Sequence, residues 1–280
     1  MIFHKILLSF LLLLLSASCY AIPKNNPVPG GLALIPLPAE QPIPKAFYNK
    51  KRLAVVSEQQ KHYVLVGIPL QTKAGKKHIT LRWPDGKTTR QEFQVRDKIY
   101  QAQYLTIKNK RKVNPNKQDM ERITRERAQK RRARTFWSDE PVKTDFVIPV
   151  EGRISSIFGL RRFFNKQPRR PHTGLDIATA EGTPIRAVES GTVIEADNFF
   201  FSGNVVYIDH GQGLISMYAH MHSMSVKPGQ KVSRGDIIGT VGQTGRVTGP
   251  HLHLGVLANQ TLIDPVLLLP PLKTPIDAEQ

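Results

Sequence analysis

His172-Thr173-Gly174-Leu175-Asp176, answered much later in the chain by Gly249-Pro250-His251-Leu252-His253, is the sequence on which the reading of this protein turns. On a continuous strand rising about 3.3 Å per residue, positions four apart lie roughly 13 Å from one another. That is too far for His172 and Asp176 to share one ion whose bonds to nitrogen or oxygen are each about 2 Å. The chain must bend between them. Thr173-Gly174 supplies the bend, because glycine accepts backbone angles that other residues avoid. His251 and His253 are two apart, so on a strand they share one face about 6.6 Å from each other. Such a pair suits one ligand beside one base, or two ligands, and spacing alone does not choose. Adding His220 of Tyr218-Ala219-His220, the second half of the chain holds four imidazoles and a carboxylate in fixed order. A hydrolytic zinc centre takes about three such ligands and leaves a position for water, whose pKa the metal lowers to roughly 7.

Between these stretches lie short β-branched runs punctuated by glycine: Ala187 to Ile194, and Val226 to Gly239. They read as hairpins of a small antiparallel sheet or barrel. Biotinyl and lipoyl carrier domains share that pattern, but they carry a lysine flanked by methionine at a hairpin tip. No Met-Lys pair occurs here, and a carrier leaves the histidines unexplained.

The motifs combine Ser155-Ser156-Ile157-Phe158-Gly159-Leu160-Arg161, His172 to Ile177, Gly182-Thr183-Pro184-Ile185, Tyr218-Ala219-His220 and Gly249 to His253. From about Phe146 to Leu269 the chain resembles the lysostaphin-like zinc metalloendopeptidases, which cut peptide bonds in the stem or cross-bridge of peptidoglycan. The resemblance implies that His172, Asp176 and His253 bind zinc. It gives His220 and His251 to catalysis, one taking a proton from water and the other holding the developing oxyanion. His251, beside ligand His253, is the expected base. Arg161, Arg170 and Tyr218 are expected to meet the substrate, the arginines gripping stem-peptide carboxylates. Many relatives place an acidic residue just after the last motif, where this chain has Leu254-Gly255. Latent relatives use an upstream asparagine as a temporary zinc ligand, a role open to Asn165. Of the other histidines, His210 is expected to shape a turn and His222 to be exposed.

The start of the chain sets its expected address. Met1 to Lys5 is short and basic, Ile6 to Leu15 is apolar or hydroxyl-bearing, and Ser16 to Ala21 is rich in small residues. This reads as a secretory signal peptide cleaved after Ala21, too short for a stable membrane span. Cys19 is the only cysteine, so no intramolecular disulfide forms. A lipoprotein signal acylated at Cys19 is the rival, weakened by Ser16 where leucine is usual. The net charge of +18 is compatible with nucleic acid, but export points instead to an anionic envelope or membrane surface. Half of that charge lies between Lys108 and Arg134, with twelve basic and three acidic residues.

The organisation expected is mainly β, with a signal peptide over 1–21 and an N-terminal all-β module over 22–107. A basic helical connector covers 108–143, the antiparallel β-sheet metallopeptidase domain 144–270, and a tail 271–280. In the N-terminal module, prolines bar a helix before Pro44 and allow extended chain or edge strand. Strand-like runs follow at Leu53–Ser57, Tyr63–Ile68, His78–Trp83 and Gln91–Val95, with Asp85-Gly86 as a favoured hairpin pair. The module is read as a small immunoglobulin-like sandwich serving docking, substrate placement or occlusion. Asn116 is a credible N-cap for a helix of about four to five turns. The function expected is exported, zinc-dependent cleavage of peptidoglycan cross-links, at the bond from D-alanine to meso-diaminopimelate. A catalytically silent envelope protein that binds and activates a cell-wall amidase is the alternative.

Overall fold

A computed structural model describes residues 22–39 and 42–272. The signal-peptide reading, Cys19 and most of the expected tail lie outside the described residues.

Six strands form the N-terminal sheet: β1 (Leu32–Pro36), β2 (Lys45–Tyr48), β3 (Lys51–Glu58), β4 (Lys61–Gly67), β5 (Gly75–Arg82) and β6 (Thr88–Val95). Their order is β1-β4-β3-β2-β5-β6, all antiparallel. Strand β1 takes an edge, and its one proline, Pro36, is its last residue, a position where a missing N–H is tolerated. Strand β3 changes partner along its length: residues 51–53 pair with β2 and residues 54–58 with β4. The path therefore divides at β3 into two halves, with Ala33, Ile35, Val64 and Val66 of one packed against Ala46, Ile79 and Leu81 of the other. Two faces across one core match the expected small sandwich, although a single path of hydrogen bonds joins them.

The opposite face of β1, β3 and β4 is also buried, which alternation along a strand permits. Leu32, Ala54, Val56 and Leu65 enter the same core as Leu175, Leu252, Leu254 and Val256. Where the two parts meet, Asn259 accepts from the Gly67 N–H at 2.6 Å and donates to the Gly67 carbonyl at 3.1 Å.

After β6 the chain forms β7 (Ala102–Leu105), a short helix α1 (Lys110–Val113) and α2 (Lys117–Thr135). Helix α2 begins with a capping box in which Asn116 and Asp119 exchange side-chain and backbone bonds. It lies on the C-terminal part through charge and through Ala133, which packs with Phe199, Val205 and Tyr207. Buried Glu126 accepts from Arg122, from Lys130 and from the Phe200 N–H.

The C-terminal part contains β8 (Arg153–Ser156), β9 (Arg161–Phe164), β10 (Gln167–Pro168), β11 (Leu175–Ala178), β12 (Pro184–Arg186), β13 (Gly191–Phe199) and β14 (Gly203–Asp209). It continues with β15 (Ile215–Met224), β16 (Lys231–Val232), β17 (Ile237–Val241), β18 (His251–Ala258) and β19 (Thr261–Ile263). The main sheet runs β16-β13-β14-β15-β18-β11-β8, and a smaller one runs β10-β9-β7. Strand β7, which falls inside the span 22–107 expected for the N-terminal module, lies parallel to β9. Among the described residues no helix is long and apolar enough to cross a membrane.

Candidate metal centre

Three adjacent strands carry the site. Asp176 of β11 stands opposite His253 of β18, and His253 stands opposite Ala219 of β15. Strands about 4.8 Å apart bring such residues together without long loops. His172 joins them from the bend that precedes β11. Asp176 Oδ1 lies 2.7 Å from His253 Nδ1 and 2.9 Å from His172 Nε2, and the two nitrogens are 3.1 Å apart. Four-coordinate zinc with bonds of about 2.0 Å spaces its donors by about 3.3 Å.

The donor chemistry also fits a cation. His172 Nδ1 faces the Ile157 carbonyl at 2.7 Å. A carbonyl only accepts, so Nδ1 carries the proton and Nε2 presents a lone pair to the cluster. Burial pushes His172 down to about 4, partly opposed by Asp176, so the ring is neutral near pH 7. Asp176 is held well below the usual carboxyl range despite its burial, so it is a carboxylate. Two imidazole nitrogens and a carboxylate oxygen thus converge with their electron pairs toward one point, the donor set that zinc prefers. These three residues form the metal-competent group among the described residues.

His220 and His251 flank this group. Their ring centroids are 4.9 Å apart, and His220 is 5.9 Å from the His253 ring. His220 Nδ1 donates to the Thr244 carbonyl at 2.8 Å, and His251 Nδ1 to the Gly249 carbonyl at 2.9 Å. In the neutral ring, a proton on Nδ1 leaves Nε2 as the lone pair. His251 Nε2 is 4.0 Å from Asp176 Oδ1. Burial holds His220 well below the usual imidazole range.

A bulge aims His220. Between β14 and β15 the pairing jumps from Val206–Tyr218 to Asn204–Met221, leaving an extra residue on β15. His220 absorbs it with φ of +67°, in the left-handed region that non-glycine residues seldom occupy.

Tyr218 is a correction. Expected at the substrate, it is fully buried, and its hydroxyl accepts from the Val188 N–H at 2.8 Å. Side chains alternate along β15, so Tyr218 enters the core while the bulge re-aims His220. Arg161 and Arg170 are exposed on and just after the β9–β10 hairpin. Asn165 is not part of the cluster: its amide bonds both backbone groups of Ile107, at 2.8 and 3.1 Å. His210 is buried, and His222 is exposed and pairs with Glu181.

Three residues beside the cluster, Arg162, Ser156 and Gln103, are not among the expected metal or catalytic residues. Arg162 Nη2 donates to Asp176 Oδ2 at 2.7 Å and to Ser156 Oγ at 3.0 Å. Ser156 lies inside a recognisable motif and Arg162 directly after it, whereas Gln103 of β7 carried no signal.

The sequence profile of Peptidase family M23 matches residues 170–265, and that of the Peptidase family M23 N-terminal domain matches residues 25–98. A crystal structure of a Pseudomonas aeruginosa chain assigned to peptidase M23 is 39% identical, with a TM-score of 0.73. The alignment covers 87% of this chain and 95% of that one. The peptidoglycan DD-endopeptidase ShyA of Vibrio cholerae is 47% identical over 108 residues, which is 38% of this chain and 25% of ShyA. The DD-carboxypeptidase/endopeptidase Mpg of Neisseria meningitidis is 42% identical over 117 residues, 42% of this chain and 27% of Mpg. The matched segment thus spans about a quarter of the length of these two curated relatives.

Proposed function

This chain belongs to peptidase family M23, and from that premise we propose that it is a zinc-dependent endopeptidase cleaving the peptide cross-links of peptidoglycan. The observation that carries the reading is the convergence of His172 Nε2, Asp176 Oδ1 and His253 Nδ1, flanked by two further imidazoles with free Nε2 atoms.

His172, Asp176 and His253 would hold zinc. When bound, zinc supplies a Lewis acid that polarises a carbonyl and makes water acidic enough to ionise near neutral pH. His251, whose Nε2 lies 4.0 Å from Asp176 Oδ1, accepts the proton of the attacking water and returns it to the leaving amine. His220 is neutral and has its proton on Nδ1, so it must gain a second proton at Nε2 before it can donate to an oxyanion. Exposed Arg161 and Arg170 meet carboxylates of the stem peptide.

The finer reading places the scissile bond between D-alanine and meso-diaminopimelate, in line with the names of the relatives, with a glycine-rich bridge as the competing substrate. Residues 1–21 read as an export signal, which would put the enzyme in the periplasm or envelope. The basic face of α2 would attract an anionic envelope surface, and a regulatory envelope protein is a further partner in this reading.

The test uses the purified full chain on isolated sacculi and cross-linked muropeptides, with mass spectrometry of the products. Cleavage of the cross-link, lost on chelation and restored by zinc, is the expected result. Stoichiometric zinc with uncut sacculi and uncut muropeptides would overturn the enzyme reading in favour of the silent amidase activator.

A further inference from the structure

Resting on the zinc-site reading above, we propose that Gln103, on the strand that links the two domains, is a positioning residue of the metal centre acting through Arg162. The contacts form a continuous chain. Gln103 Oε1 accepts from Arg162 Nε at 3.2 Å and from Ser156 Oγ at 3.1 Å. Both partners are donors, so the amide oxygen rather than its NH2 faces them. Arg162 then spends its Nη2 on Asp176 Oδ2 and on Ser156 Oγ. Asp176 is left with Oδ1 toward His172 and His253, and Oδ2 clamped from behind. Ser156 Oγ is also 3.1 Å from His172 Nδ1, so the same network touches a second ligand.

This arrangement is enclosed. Gln103 is 6% exposed and Asp176 5%, and the Arg162 side chain 17%. A buried carboxylate with one oxygen free would rotate, and a guanidinium donating to that oxygen fixes the plane of the group. The guanidinium in turn needs an acceptor for Nε, which the linker supplies.

The backbone keeps Gln103 in reach. Strand β7 runs parallel to β9 with Gln103 opposite Arg162. On the same linker, the Tyr100 hydroxyl donates to the Pro29 carbonyl of the N-terminal part at 2.7 Å. Its ring passes so close to Gly159 that a Cβ there would lie 2.0 Å from Tyr100 Cε1. Gln103, Ser156 and Arg162 all fall between the two family segments, at 25–98 and 170–265. The metal centre therefore extends beyond the peptidase segment, and the linker that anchors the N-terminal domain is one of its walls.

The experiment measures zinc affinity by competition with a chromogenic chelator in the full-length protein and in Gln103→Leu, Arg162→Met and Arg162→Lys. Melting of the zinc-free proteins is followed in parallel. Loss of an outer partner of a metal ligand typically weakens metal binding by about 10- to 100-fold. Gln103→Leu and Arg162→Met are expected in that range, and Arg162→Lys, which keeps the charge but not the fork, is expected between them and wild type. If wild type binds zinc and Gln103→Leu binds it equally well, the positioning role of Gln103 is overturned and the enzyme reading stands, whatever the Arg162 variants do. If wild type takes up no zinc, both fall together.

Discussion

His253 and His251 stand two residues apart on β18, yet only His253 places a nitrogen within 3.1 Å of both other donors, while His251 Nε2 stays 4.0 Å from Asp176 Oδ1. Their losses should differ in kind. His253→Ala is expected to abolish stoichiometric zinc, read by metal analysis, and activity with it. His251→Ala is expected to keep most of the metal and lose turnover by about 10²- to 10⁴-fold, the usual range for a general acid–base. Equal zinc loss in both variants would mean that the assignment of roles is wrong. The i, i+2 spacing left the two open, and what separates them is the cross-strand register that sets His253 against Asp176. Gly174 makes a related point. Its φ is not left-handed, and the need is for space: a Cβ would lie 2.5 Å from His253 Cε1. The bend was legible from spacing, but the imidazole lying over it was not, because that contact comes from a strand far along the chain.

Among the strands, legibility followed turn chemistry. Asp85-Gly86 marks the β5–β6 turn, with Gly86 at φ +84°. Four other hairpins turn on Asn49-Lys50, Gln59-Gln60, Asn165-Lys166 and Asn259-Gln260, with φ between +41° and +65° at every position. Both central residues are left-handed, the type I′ geometry that suits strand twist and usually recruits Asn-Gly. Without glycine the signal is faint, so β2 went unread beside the continuous apolar run of β3. The expected turn at His210 is also an internal joint. Its Nδ1 donates to the Ser190 carbonyl at 3.0 Å, and its Nε2 lies 2.7 Å from Ser216 Oγ, tying the chain before β13 to β15. Burial lowers His210 to about 4 from 6.5. The folded state therefore binds fewer protons than the unfolded one between those values. The stabilisation from its neutral ring is complete above pH 6.5 and is lost as pH falls toward 4, to an extent of about 3 kcal/mol. His210→Gln should flatten the fall in unfolding free energy from pH 7 to pH 4, measured by urea titration. Parallel profiles for the two proteins would refute the assignment.

Over the whole molecule, charge is divided between joining and display. The capped helix was legible from Asn116 and the absence of Gly and Pro, but its docking was not, because few apolar residues advertise a packed face. Lys112, Arg122 and Lys130 turn inward, donating to the Phe200 carbonyl, to Glu126 and Asn198, and to Glu126. Arg125, Arg127, Arg131 and Arg132 are exposed, with Lys117 on the same side. Among the described residues no ion pair engages these four arginines. A face of this sign attracts anionic lipid headgroups at about 1 kcal/mol per basic residue close to the surface, within a Debye length of about 8 Å at physiological salt. The protein should therefore sediment with vesicles containing anionic phospholipid, and less so as salt rises. Changing the four arginines together to glutamine should weaken that association at least tenfold while leaving cleavage of soluble muropeptides unchanged, since none of them touches the metal centre. Binding that ignores both salt and the substitutions would make this face a solvated one, and the positive charge of the chain would then serve its internal joints alone.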